Sequence, residues 1–235
     1  MPDSLSTARR LKEHLRRILA ESDWEQRFGR LLASVDRPQQ TISPLFAALY
    51  SPSQAIRWHA VSCLGIAAAE LARQGSEPVR IVLRRCTWSL NDESGGIGWG
   101  APETMAEILA NVPHLAEEYA SILVSFILKR EQACNFLEYA PLREGAYWGV
   151  ARLARARPDL IRPWQEHLLD AATCETSPPI IGYLCLILFN SNISSGQAQR
   201  FLGETGSRKE TITLYWNKAF WNISLSYLAR NGAPA

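Results

Sequence analysis

The chain has 235 residues, 47% of them hydrophobic, and its 25 Lys and Arg nearly cancel its 23 Asp and Glu to leave a formal charge of +2. That is enough apolar material to bury the core of one large domain or two small ones without disulfides. The charge excludes a strong overall field drawing the molecule to nucleic acid or to an anionic membrane, although the first helix is basic.

Helical periodicity dominates in chain order, predicting helices near 4–20, 23–35, 41–50, 53–73, 77–90, 101–111, 114–130, 143–156, 159–172, 179–190 and 195–203. Prolines at 38, 52, 78, 102, 113, 141, 158 and 178 fall at or near helix starts, where a missing N–H costs little. After residue 205 the pattern changes. Thr211 to Trp216 alternates as a strand, Asn217-Lys218 suits a turn and Ala219 to Leu225 suits a return strand. The competing reading is one amphipathic helix from about Asn217 to Arg230 stopped by Gly232. The expected division is a helical domain over 1–205 and a capping segment over 206–235.

A shift of about 45 residues lays Gly100-Ala101-Pro102 through Pro113-His114-Leu115 onto Gly145-Ala146-Tyr147 through Pro158-Asp159-Leu160. Gly, Ala, Pro and Leu coincide at the ends and apolar positions coincide between. A further step back reaches Ala55 to Ile66, where Ile56-Arg57 is followed by small residues and then Leu64-Gly65. That stretch resembles the second helix of a HEAT repeat. The resemblance implies an all-α fold, a right-handed α-α superhelix of about five stacked helix pairs, because one pair cannot bury its apolar face alone. A non-repetitive helical bundle is the alternative. The segment Trp88-Ser89-Leu90-Asn91-Asp92-Glu93-Ser94-Gly95-Gly96-Ile97-Gly98-Trp99-Gly100-Ala101-Pro102-Glu103 resembles a signature of one uncharacterised group of bacterial HEAT-like proteins, associated with sulfate reducers.

Two inserts interrupt neighbouring units, residues 91–100 and 131–142. Inserts at the same point of consecutive repeats emerge on one edge and are expected to touch, forming a composite lip. Trp88, Asp92, Glu93, Trp99 and Glu103 from the first, with Phe136, Glu138, Tyr139 and Trp148 from the second, then make an aromatic and acidic surface. Such a surface suits a protein or peptide bearing Arg or Lys, through cation–π contacts and paired carboxylates. The bland reading is that Trp99 plugs the edge while Asp92 and Glu93 cap helix N-termini. The glycines of the first insert lack the strand of a dinucleotide fold and the Lys-Ser/Thr of a P-loop.

No catalytic residue and no metal or cofactor site is expected. Cys63, Cys86, Cys134, Cys174 and Cys185 form no C-x-x-C pair, so they read as core thiols of a reducing compartment, and the four histidines are scattered. Nucleophile motifs are absent. The charged N-terminus and the shortness of the longest apolar stretch, Ile180 to Phe189, predict a cytoplasmic protein without a membrane span. The leading expectation is therefore a non-enzymatic interaction module or scaffold that docks a protein on its concave face and lip. HEAT-like DNA alkylation-repair glycosylases and HEAT-like bilin lyases share the architecture, and they stand as alternatives that bind DNA and a tetrapyrrole respectively.

Overall fold

A computed structural model describes residues 2–91, 97–129 and 135–234. They fold as two compact units, 1–112 and 113–235. The chain is mostly helical, with one two-stranded antiparallel sheet near the C-terminus.

The first unit holds α1 (Pro2–Ala20), α2 (Trp24–Ser34), α3 (Gln39–Ala48), α4 (Gln54–Ala72), α5 (Ser76–Leu90) and α6 (Ala101–Asn111). At its centre is α4, whose Ala60, Val61, Cys63, Leu64, Ala67, Ala68 and Leu71 are all buried. A helix apolar on more than one face belongs in the interior, and α1, α2, α3, α5 and α6 all pack on it. Ser53 caps its start, the hydroxyl accepting from the Ile56 N–H. Gly65 lets α6 approach: a Cβ there would stand 3.1 Å from the Glu107 carbonyl oxygen.

The second unit holds α7 (Pro113–Ser125), α8 (Ala140–Ala156), a short α9 (Pro158–Ile161), a 3-10 turn (Arg162–Trp164), α10 (Gln165–Cys174), α11 (Pro178–Asn190), α12 (Gly196–Thr205), β1 (Thr211–Trp216), β2 (Ala219–Ser224) and α13 (Leu225–Asn231). The apolar run from Ile180 is the central helix, α11, buried from Ile180 through Leu188 against α8, β1 and α13. Pro163 falls inside the predicted 159–172 helix, which is therefore split into α9, the 3-10 turn and α10.

The hairpin pairs Thr211 with Ser224 and Trp216 with Ala219. Asn217 and Lys218 both have positive φ, 53° and 63°, the backbone of a type I′ turn whose twist matches its strands. A helix also follows: α13 begins at Leu225, capped by the Ser224 hydroxyl, and ends at Gly232 with φ 71°. Among the described residues no helix is long and apolar enough to cross a membrane.

Candidate functional site

In the first unit, Gly98 and Gly100 fix the end of the first insert. Gly98 lies against the last turn of α5, where a Cβ would be 2.7 Å from the Ser89 carbonyl oxygen, and Gly100, at φ 71°, sits against Leu49. The segment 97–100 thus bridges the ends of α5 and α3. The Tyr50 hydroxyl fastens it by donating to the Ile97 carbonyl at 2.9 Å. Trp88 stands on that same turn of α5 and is 74% exposed, while Tyr50 is 57% and Ile97 40% exposed. One and two turns earlier on the same face, Arg85 covers the Phe46 ring at 4.0 Å and Ile81 is exposed. Trp99 and Glu103 are half-buried, with Glu103 close enough to oppose ionisation of the buried Cys86 thiol, which burial pushes up to about 12. Asp92 and Glu93 lie outside the described residues.

In the second unit the chain leaves α7 at Ser125, earlier than the predicted 130. The Asn135 side chain donates to the Ser125 hydroxyl at 3.1 Å and the Leu137 N–H to the Phe126 carbonyl at 3.0 Å, so the two ends of this loop are tied together. Arg143 completes the tie. From the first turn of α8 its guanidinium donates to the Leu137 and Glu138 carbonyls at 2.9 and 3.0 Å, covers the Phe136 ring at 5.2 Å and pairs with Glu175 at 2.8 Å. The Arg143 and Glu175 side chains are 16% and 12% exposed, so the pair is shielded from solvent. Phe136 is half-buried, Glu138 exposed, and Tyr139, at the N-cap of α8, 51% exposed.

Trp148 is a correction to the expected docking surface. It is 1% exposed, donates its indole N–H to the Tyr215 carbonyl at 2.8 Å and meets Trp216 edge-on at 6.2 Å. Its place is the core between α8 and the hairpin, because a residue in the middle of a helix buried along most of its length has no route to the surface.

Two residues that hold the second loop, Arg143 and Glu175, were not singled out by sequence. One signal existed: a cation in the first turn of a helix opposes the helix dipole, so Arg143 must be satisfied otherwise. Among the described residues no group of three or more His, Cys, Asp or Glu converges to hold a metal ion.

No family model and no solved structure matches the chain. It is similar to an uncharacterised protein of Archaeoglobus fulgidus, 32% identical over 97 residues, which are 41% of this chain and 50% of that relative. The match thus spans about half the length of the relative.

Proposed function

We propose that the chain is a non-enzymatic protein-interaction module: HEAT-like helix pairs stacked as a right-handed superhelix, with a partner docking on the concave face and on the lip made by the two inserts. The observation that carries this reading is Trp88, 74% exposed beside the segment that Tyr50 and Gly98 hold in place. A large aromatic side chain displayed on a fixed backbone is the usual anchor of a protein interface, since it brings much contact area at little entropic cost. Tyr139 supplies a second exposed aromatic at the end of the other insert. The acids Asp92, Glu93 and Glu138 favour a partner segment bearing Arg or Lys.

The nucleic-acid alternative calls for arginines that reach phosphate. Arg57 is bonded to the Ser51 and Pro52 carbonyls, Arg155 to Asn217, and Arg157 to Asp159, Glu117 and the Pro113 carbonyl. These commitments favour the protein-binding reading.

The test is capture from native cell extract by wild type and by Trp88→Ala, followed by dissociation constants for any purified partner. The expected result is a protein whose affinity falls about tenfold or more in the variant, as for an interface anchor. Equal retention of every protein by both forms, or recovery of nucleic acid alone, would overturn the reading.

A further inference from the structure

The hairpin of the second unit has two outer edges that differ. Its two-residue turn makes the flanking pair, Trp216 with Ala219, a hydrogen-bonded one, and bonded pairs recur at every second position of the ladder. The Leu225 N–H, donating to the Glu210 carbonyl at 2.9 Å, continues that alternation past the strands. The residues between, Thr213 and Tyr215 on β1 and Phe220 and Asn222 on β2, therefore turn their N–H and C=O groups away from the ladder.

On the β1 edge the outward Tyr215 carbonyl accepts from the Trp148 indole of α8. The β2 edge has no such cover. Among the described residues no third strand joins the sheet, no turn or loop backbone bonds to Phe220 or Asn222, and both residues are exposed, as is Ala219. The features that keep edges apart are missing as well. Ala219-Phe220-Trp221-Asn222-Ile223-Ser224 has no charged residue and no proline, and its pairing with β1 runs without a bulge. What satisfies such an edge is an extended strand that brings no opposing charge.

A second β2 meets that requirement. Set antiparallel across a twofold axis through Trp221, Phe220 of each copy lies opposite Asn222 of the other, and the two residues exchange both N–H···O=C bonds. Trp221 then faces its own copy at a non-bonded position, where side chains approach most closely and aromatic pairs stabilise a sheet. That ring is half-buried and already held, its indole N–H donating to the Trp216 carbonyl at 3.0 Å. Like charges do not meet, because β2 carries none and Lys218 at the tip comes opposite Ser224. After Ser224 the chain leaves the edge into α13, which ends the pairing. We propose that β2 is a homodimerisation edge that joins two hairpins into one continuous antiparallel sheet. The proposal does not rest on the Trp88 reading.

An interface of this size is weak, so sedimentation equilibrium of the full chain spans about 5 to 500 μM. Wild type is expected to form a reversible dimer in that range. Asn222→Pro removes an outward N–H and leaves the bonds to β1 in place. It is expected to keep the fold by circular dichroism and to weaken the dimer at least about tenfold. Disulfide trapping reads the register independently. Cys134 and Cys174 are replaced by Ser, and Cys63, Cys86 and Cys185 are buried. Trp221→Cys then sets the new thiol opposite itself within disulfide reach, whereas the thiol of Ala219→Cys is offset from its copy along the strand and out of reach. Mild oxidation is expected to couple the first at least about tenfold faster than the second. A monomer across the whole concentration range, which would leave the edge to a strand of another protein, a dimer unaffected by Asn222→Pro, or equal coupling of the two thiols would each overturn the proposal.

Discussion

Arg143 and Glu175 form a shielded ion pair, Nε to carboxylate oxygen at 2.8 Å, that fastens the first turn of α8 to the residue closing α10. The guanidinium Nη1 donates to both the Leu137 and Glu138 carbonyls. One side chain thus sets the position of the segment leading into Tyr139.

Removing either partner leaves the other buried and uncompensated. Arg143→Ala is expected to destabilise the second unit by about 3 kcal/mol, whereas replacing the pair together by Met and Leu costs far less. Urea denaturation of the single and double variants measures both; equal loss in all three would place the effect in packing rather than in the stranded charge.

Gly98 makes a second case, this time steric. A methyl group there meets the Ser89 carbonyl at 2.7 Å, and a backbone atom cannot swing aside, so Gly98→Ala is expected to lower stability by about 1–3 kcal/mol and to loosen the Tyr50 to Ile97 hydrogen bond. Gly29, in the middle of α2 with nothing within 4 Å of an added Cβ, is the control: Gly29→Ala is expected to stabilise by about 0.5–1 kcal/mol. Thermal denaturation of both variants reads the opposite signs.

Helix existence was legible because 3.6-residue periodicity marks the amphipathic segments and length marks the two central helices, α4 and α11, which are apolar on more than one face, and the hairpin was legible because Asn217-Lys218 sits between alternating runs. What failed had physical reasons. Pro163 broke a helix whose apolar pattern continued through it, and the end of α7 was set by Asn135 and Leu137 folding back onto Ser125 and Phe126, contacts that periodicity does not encode. Among the aromatics, Trp88 and Trp148 look alike in sequence, yet one is 74% and the other 1% exposed. Which face of a helix meets a neighbour is a tertiary fact, and Glu175, distant in sequence from Arg143, is invisible for the same reason.

His59 gives a pH dependence to the first unit. Its Nδ1 lies 2.8 Å from the Leu19 carbonyl, which requires Nδ1 to be the donor, and its ring stacks on Trp24 at 4.7 Å. Burial outweighs that hydrogen bond and lowers its pKa below the ordinary 6.5, so the folded state favours the neutral ring. The unfolded chain then binds more protons between the lowered pKa and 6.5. The stabilisation is present above 6.5 and is lost as pH falls through the folded pKa. Melting temperatures from pH 8 to 5 are expected to decline across that window, less steeply in His59→Asn; a parallel decline in both would assign the dependence to other groups.

At the hairpin tip, Lys218 occupies a left-handed backbone position that glycine adopts without steric cost. Lys218→Gly is expected to raise stability by about 0.5–1 kcal/mol. Calorimetry checks this, and destabilisation would mean that contacts of the lysine side chain outweigh the backbone term.

The most direct test of the interaction reading places a photo-crosslinking residue, p-benzoylphenylalanine, at position 88 in the native cell, with the same residue at the exposed position 166 on α10 as control. A discrete protein adduct is expected from position 88 and not from position 166. No adduct at 88 above that at 166 would contradict the proposal that Trp88 anchors a protein partner.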